Sequence, residues 1–450
     1  MPDTMPRPLR VLPLLAAITT FALPASAAEA AARIEPGDVA WMLLCTALVM
    51  LMTIPGLALF YAGMVRKKNV LATMMQSFSL CAVGTVLWMV AGYSLAFGTG
   101  DAWIGDTSRL MLHGIAETWD KPFTLGAGTE YAVPTTIPES VFLLFQMAFA
   151  IITPAVVTGA FADRMKFSAM LVFLSLWSLL VYAPLAHWVW APNGWLAVMG
   201  VADFAGGTVV EVNAGVTGLV CALVMGRRLG YRQENMAPWN LALAVVGASL
   251  LWVGWFGFNA GGALAAGGRA AMAVLATQLA AAGATLSWSF AEWLLRGKPS
   301  VLGAISGAVA GLVAVTPAAG FVLPGPALGL GLVAGAVCFW AATELKQRLG
   351  YDDSLDVFGV HGVAGIIGML ATGWFACGAL TATAEHPEGL YVGGVSLLGV
   401  QALAVGVTIL FSGAASWLLL VVTERLVGLR VTREEEREGL DLTLHGEQVF

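Results

Sequence analysis

Charge is scarce in this chain, and the scarcity excludes an ordinary globular protein that faces water. Only 11% of its 450 residues are Asp, Glu, Lys or Arg, whereas a soluble domain usually carries about 25%. Hydrophobic residues make up 58%, and the mean hydropathy is +0.82. Because so few charges cannot cover a surface in contact with water, we expect lipid to be the main solvent of the chain.

Cysteine is also sparse, and its spacing excludes a disulfide framework or a Cys-rich metal site. No pair of cysteines has CxxC or metal-ligand spacing, so buried apolar thiols are expected. The sequence shows no Gly-rich phosphate loop and no nucleophile–base set, so we expect neither an enzyme nor a cofactor or metal. The five cysteines lie in or beside apolar runs, at Cys45, Cys81, Cys221, Cys338 and Cys377.

The first 27 residues have the pattern of a signal peptide. Arg7 and Arg10 precede an apolar stretch at 11–23, and Ala25-Ser26-Ala27 matches a small-residue cleavage site. The alternative is an additional N-terminal span, for which the stretch is short. Cleavage would leave the mature N-terminus outside the cell membrane.

Apolar runs recur along the rest of the chain and predict an all-α polytopic membrane protein. We expect a transmembrane domain at 38–427 and a charged tail at 428–450. Small-xxx-small patterns, such as Gly303, Gly307 and Gly311, predict close helix packing in lipid. The eleven expected spans are 39–64, 70–97, 137–161, 167–190, 204–225, 241–259, 271–295, 301–315, 328–345, 357–377 and 397–426.

Basic residues predict the orientation of these spans. They cluster after the odd-numbered spans, and the loops after even-numbered spans contain few of them. By the positive-inside rule, odd-numbered spans end in the cytoplasm. The N-terminus is then outside and the C-terminus inside. The basic clusters lie at 66–68, 164–166, 227–232, 296–298, 346–348 and 425–437.

The odd number of spans favours an inverted repeat, in which spans 1–5 and 6–10 have opposite topology and span 11 is additional. Asp203 opens span 5 and Asp356 opens span 10, and a Gly-rich polar helix follows each. Inverted repeats place their substrate site near the midplane, between the two halves.

Two ionisable residues inside the spans are the main functional candidates. Glu211 in span 5 and His361 in span 10 sit at corresponding places in the two repeats, and such residues usually mark a transport path. The alternatives are a structural ion pair for Glu211 and a hydrogen-bonded core histidine for His361. If the repeats face one another, the two side chains can meet.

Aromatic residues form a second group with two interpretations. Phe149, Trp190, Trp255 and Phe258 lie in or at the ends of spans. Aromatic residues near span ends usually form an interfacial belt. The other interpretation is a cage for a cation, in which each ring face contributes roughly 0.5–2 kcal/mol.

Several long motifs, in order along the chain, resemble those of the ammonium transporter family. They are GLALFYAGMVRKKN at 56–69, DFAGGTVV at 203–210, GWFGFNAG at 254–261 and DVFGVHG at 356–362. The tail also resembles the family at 428–430, 438–441 and 445–447. The resemblance runs from about residue 38 to the end of the chain.

The resemblance implies a homotrimer of eleven-helix subunits in a bacterial inner membrane, each subunit with its own pore. It also implies an outer ammonium site made by Trp190 and two pore phenylalanines, Phe149 and Phe258, with Trp255 packed near the inner one. Asp203 matches an acidic residue that supports this site. The serine of the family's outer site falls on Gly262 here, so replacing Gly262 by Ser is expected to raise ammonium affinity.

A larger departure from the family lies at the pore centre. The family usually has two hydrogen-bonded histidines there. His361 matches the second, but the first is Glu211, as in certain fungal members. We interpret Glu211–His361 as a variant pair that relays a proton while ammonium is deprotonated and conducted as ammonia.

The resemblance leaves alternatives open. Trimeric PII-type signalling proteins bind the cytoplasmic face of many members and engage such a tail, although its composition alone predicts a solvated segment. The chain is then either a transporter under PII control or an ammonium sensor that acts through PII. A Rhesus-type gas channel is the third possibility, and the tail and Trp190 favour the ammonium branch over it.

Overall fold

The computed structural model describes residues 33–380 and 388–449, so the expected signal peptide at 1–27 lies outside the described residues. Within them, ten helices are long and apolar enough to cross a membrane. A shorter apolar helix of 15 residues makes the eleventh. The prediction of eleven spans is confirmed, and in chain order they are Pro36–Met64, Lys67–Phe97, Glu139–Phe161, Phe167–Val198, Gly207–Met225, Leu241–Ala263, Gly268–Arg296, Val301–Val315, Pro324–Leu349, Phe358–Phe375 and Ser396–Val427.

Outside the spans, the chain forms a β-hairpin that the sequence did not predict. Strand β1 (Pro122–Leu125) pairs antiparallel with β2 (Val133–Pro138) in the long loop after span 2. We call the side with this hairpin the hairpin face and the side with residues 428–449 the tail face. The short helices outside the spans are Leu110–Leu112, Ile115–Glu117, Leu390–Val392, Arg433–Glu438 and Leu440–His445.

The distribution of polarity is the reverse of that in a soluble protein. Large apolar side chains such as Leu286 and Leu410 are 67% and 75% exposed. Polar side chains such as Asn213 and Gln401 are fully buried. Apolar exposure on this scale marks surfaces that contact lipid or other protein, so the outward faces of the spans are suited to a membrane.

Small residues allow the helices to approach closely, as the sequence predicted. A Cβ atom on Gly307 would lie 2.8 Å from the Ala284 carbonyl oxygen, and one on Gly311 would lie 2.4 Å from that of Ala280. Span 8 therefore packs its glycine stripe directly on the backbone of span 7, which gives contact area in a solvent where burial of apolar surface provides no driving force.

Spans 5 and 10 cross at the centre of the protein in a reciprocal way. Each begins with a π-helical turn, Gly207–Val212 in one and Phe358–Gly362 in the other. A Cβ on Gly215 would lie 2.2 Å from the Gly362 Cα, and one on Gly365 would lie 2.9 Å from the Glu211 Cβ. Each span thus uses the glycine four residues after its central ionisable residue to contact the other, as an inverted repeat requires.

Span 11 fixes this crossing from outside the repeat. The Gln401 side chain exchanges two hydrogen bonds with the Ala202 backbone, at 2.9 and 2.7 Å. The Ser412 hydroxyl donates to the Asn213 Oδ1 at 2.7 Å. Buried polar pairs between membrane helices contribute about 0.6 kcal/mol each on average. The additional span therefore holds both the start and the middle of span 5.

We expect Gly215→Ala to destabilise the protein by about 1–3 kcal/mol, because its new methyl group overlaps the backbone of span 10. Gly406→Ala in span 11 is the control, since a Cβ there meets nothing within 4 Å. The measurement is the thermal unfolding midpoint of the purified protein in detergent. Equal midpoints for the two variants would contradict the prediction and show that spans 5 and 10 can move apart at little cost.

Candidate functional site

A cavity of about 500 Å³ lies on the hairpin face. Four of the residues predicted for an outer ammonium site line it, namely Phe149, Trp190, Asp203 and Gly262, and Arg269 joins them. The remaining one, Phe258, lines the next cavity along the path. The structure thus gathers the predicted outer site around one cavity and its inner wall.

Two phenylalanine rings in contact separate the outer cavity from the interior. The ring centroids of Phe149 and Phe258 are 4.3 Å apart, with planes inclined by 39°. Trp190 meets Phe149 edge to face at 5.6 Å. A cation in the outer cavity can therefore face aromatic surfaces, while further passage requires the two phenylalanine rings to move.

Asp203 uses its carboxylate to hold the start of span 5. Its oxygens accept hydrogen bonds from the backbone N–H groups of Gly206, Gly207 and Thr208 at 2.8, 2.5 and 2.7 Å, and from the Thr208 hydroxyl at 2.5 Å. The Trp190 indole N–H donates to the Asp203 carbonyl oxygen at 3.0 Å. Asp203 thereby fixes both the turn before Glu211 and the Trp190 ring.

Beyond the phenylalanines, Glu211 and His361 meet in a small central cavity. The His361 Nδ1 and the Glu211 Oε2 are 2.8 Å apart, and both side chains are buried. The cavity has a volume of about 10 Å³, which is room for about one water molecule. Trp255 lines it beside Phe258 and donates its indole N–H to the Thr316 hydroxyl at 2.8 Å.

His361 also lines a third cavity, of about 140 Å³, towards the tail face. Tyr61, Ser306 and Asp356 line this inner cavity with it. The three cavities follow one another in series, with the phenylalanine stack between the first two and His361 shared by the last two. The path that they form is lined from the hairpin face to the tail face by residues of both repeats.

The register of the repeat differs from the one that the sequence indicated. Asp353, not Asp356, is the counterpart of Asp203. Each lies eight residues before the central ionisable residue, and Asp353 accepts from the Phe358 N–H at 2.8 Å. Asp356 instead forms an ion pair with Lys346. The spacing Asp–x7–Glu/His is common to both repeats. It is the sequence signal that could have identified Asp353.

Sequence reasoning also missed a buried charge network at the tail face. Arg164 is fully buried and donates to the Ser354 hydroxyl at 2.6 Å and to the Asp352 carbonyl at 2.5 Å. Arg228 holds the Asp352 carboxylate through two nitrogens, at 3.0 and 2.8 Å. The sequence analysis used Arg164 and Arg228 only to predict the orientation of the spans. In the structure they join the two repeats.

The environment shifts the pKa of several groups in this network. Burial lowers the pKa of Arg164 to about 10, so it stays protonated at neutral pH. Although burial acts in the other direction, the hydrogen bonds and charge of Arg228 hold the pKa of Asp352 below its usual value. Burial and the nearby Asp356 raise the pKa of Asp353 to about 6.

The tail is docked on the protein, in contrast to the solvated segment that its composition predicts. The buried Glu436 carboxylate accepts from the Leu229 N–H at 2.7 Å and pairs with Arg430 at 2.8 Å. The Asp441 carboxylate accepts from the Ala72 N–H at 2.8 Å near the start of span 2. These contacts attach the tail to the first repeat.

A multi-pass helical protein with polar groups along a path inside one subunit belongs to the membrane transporters and channels. The profile of the Ammonium Transporter Family matches residues 40–450. The chain belongs to this family, as its motifs predicted.

Individual relatives agree with this assignment. The chain is 45% identical over 416 residues to a Bacillus subtilis protein named ammonium transporter, covering 92% of this chain and 99% of the relative. The crystal structure of Saccharomyces cerevisiae Mep2 matches with a TM-score of 0.80 and 33% identity, over 90% of this chain and 89% of that one. A solved structure named "Sensor Amt Protein" matches with a TM-score of 0.81 and 27% identity, over 91% and 98%.

We expect Asp353→Asn to remove a pH-dependent part of the folding stability. Because the pKa of Asp353 rises from 3.8 to about 6 on folding, its stabilising contribution is complete below pH 3.8 and is lost as the pH rises through 6. This change in pKa corresponds to about 3 kcal/mol of folding free energy.

The measurement is the thermal midpoint of the wild type relative to Asp353→Asn between about pH 4 and pH 7. The wild type should lose stability relative to the variant as the pH rises. If the two midpoints changed with pH in parallel, the raised pKa of Asp353 would be contradicted. Asp356→Asn should weaken this pH dependence in part, because the charge of Asp356 helps to raise the pKa of Asp353.

Proposed function

We propose that the protein takes up ammonium by capturing it in the outer cavity, deprotonating it and conducting ammonia past Phe149 and Phe258. The observation that carries this proposal is the hydrogen bond between Glu211 and His361, which lies between the central and inner cavities. A carboxylate and an imidazole in contact beside the small central cavity support the transfer of a proton there.

The physics of the constriction supports deprotonation. Transfer of a bare ion into an apolar environment costs tens of kcal/mol by Born estimates. Aromatic faces contribute on the order of 2 kcal/mol per desolvated contact, far below this cost, and the central cavity holds about one water. Neutral ammonia avoids this cost, so the proton needs a separate carrier.

The Glu211–His361 pair has the properties of such a carrier. It can hold a net charge of −1, 0 or +1, whereas a pair of histidines can hold no negative charge. The His361 Nδ1 and the Glu211 Oε2 are 2.8 Å apart, so a proton can pass between the two groups. When the phenylalanine rings part, water that connects the outer and central cavities can carry the proton released by ammonium to this pair, and the proton leaves towards the inner cavity. One ammonia and one proton then cross for each ammonium, and the transport carries charge.

The surroundings of the pore complete the proposal. The basic clusters of the sequence lie on the tail face, which favours a cytoplasmic tail and a periplasmic N-terminus in a bacterial inner membrane. We further propose a homotrimer, with PII-type signalling proteins acting at the tail face. The docked tail supports control by a partner at the tail face. A partner that detached the tail would break its hydrogen bonds to Leu229 and Ala72 and so act on the first repeat.

A second candidate function is ammonium sensing. The similarity to the structure named "Sensor Amt Protein" favours it. A sensor would bind ammonium in the outer cavity without sustained charge movement. A gas channel would differ again, because it would pass ammonia without current.

The proposed relay predicts that Glu211→Gln abolishes the ammonium-evoked current. Glutamine keeps the size and a hydrogen bond to His361 but cannot carry a proton as a carboxylate does. The measurement is the current of protein reconstituted in liposomes after an ammonium pulse, at several pH values. Sustained wild-type current would also separate transport from sensing and from gas conduction.

Glu211→His is the matched control, because it restores two titratable groups at the same place. We expect this variant to retain current with an altered pH dependence. Size-exclusion profiles of all variants verify their assembly. A Glu211→Gln protein whose current and pH profile equal those of the wild type would disprove the relay.

A further inference from the structure

Gly262 lies where a side chain would collide with the backbone of the outer cavity. A Cβ on this residue would be only 2.4 Å from the Phe204 carbonyl oxygen and 3.2 Å from its ring. Both residues line the outer cavity. A serine at position 262 would therefore place its hydroxyl close to the Phe204 carbonyl oxygen, which the backbone already supplies.

The outer cavity needs an oxygen of this kind. An ammonium ion has four N–H donors, and aromatic faces offer attraction without directed hydrogen bonds. The carboxylate of Asp203, which lines the cavity, already accepts four hydrogen bonds at the start of span 5. A backbone carbonyl is a strong acceptor with two lone pairs, and it can serve in place of a hydroxyl.

The Phe204 residue is held from several sides. Its N–H donates to the Pro317 carbonyl at 3.1 Å, and its ring packs on the Gly320 backbone, where a Cβ would be 2.1 Å away. The Phe321 ring meets it edge to face at 5.5 Å. A carbonyl attached to so restrained a residue keeps a fixed direction.

Arg269 completes this restraint. Its guanidinium lies 5.1 Å from the Phe204 ring centroid and 5.0 Å from that of Phe321, and its Nε donates to the Gly320 carbonyl at 3.2 Å. Within residues 33–380 and 388–449, no carboxylate forms an ion pair with it. The positive charge of Arg269 repels an ammonium ion in the same cavity. We therefore expect Arg269 to contribute something to the site that outweighs this repulsion.

We propose that the Phe204 carbonyl oxygen is the hydrogen-bond acceptor of the outer site and that Arg269 is the residue that positions it. The inference rests on the proposed function, since it assigns specificity within the same site. It reverses the expectation that a serine at position 262 would improve binding, because the serine Cβ would displace the oxygen that binds ammonium.

The first test replaces Gly262 by Ala and by Ser. We expect the KM for ammonium to rise about tenfold in both variants, as for the loss of one hydrogen bond to a charged ligand, while the maximal current stays unchanged. Gly268→Ala is the matched control, because a Cβ at this first residue of span 7 meets nothing within 4 Å. A lower KM in Gly262→Ser would overturn the assignment.

The second test separates positioning from charge at Arg269. Arg269→Lys keeps the charge but loses the flat guanidinium, and Arg269→Gln removes the charge. We expect a higher ammonium KM in both variants with the maximal current retained. If Arg269 acted only by repelling ammonium, the KM would be unchanged in Arg269→Lys and lower in Arg269→Gln. Either result would refute the positioning role.

The wild-type recording distinguishes failure of this inference from failure of the proposed function. Absence of any ammonium-evoked current in the reconstituted wild type would refute the transport proposal itself. Normal wild-type current, with KM values unaffected by the substitutions at 262 and 269, would refute only the assignment of Phe204 and Arg269.

Discussion

The hydrogen bond between Glu211 and His361 can exist only if two helix backbones come almost into contact, and much of the architecture serves that approach. Gly215 and Gly365 remove the side chains that would keep spans 5 and 10 apart. π-helical turns at the start of both spans reposition the residues around the pair. Asp203 and Asp353 cap these turns, and span 11 holds span 5 through Gln401.

Buried charges join the two repeats a second time, at the tail face. Arg164 and Arg228 of the first repeat bind Asp352 and Ser354 of the second. Breaking such buried pairs costs several kcal/mol, because a charge is left without a partner. The docked tail adds to this junction through Arg430 and Glu436.

The sequence alone predicted those features that follow from hydropathy or from long motifs. Eleven spans, the repeat and the meeting of Glu211 with His361 could be inferred because lipid permits few backbone arrangements. The hairpin at 122–138 was missed because short strands in a loop carry a weak pattern. Asp353 was missed because Asp356 matched a motif. The conflict at Gly262 depends on the position of a distant carbonyl, which no spacing along the chain reveals.

The narrowness of the central cavity has a consequence for alkali cations. Potassium and ammonium have similar sizes, so a wide aqueous pore could hardly tell them apart. With room for about one water between Phe258 and His361, an ion would have to enter stripped of its hydration shell. Ammonium escapes this requirement because one of its covalent bonds can break, whereas potassium has no proton to give up. Discrimination in this path would thus depend on acidity instead of radius.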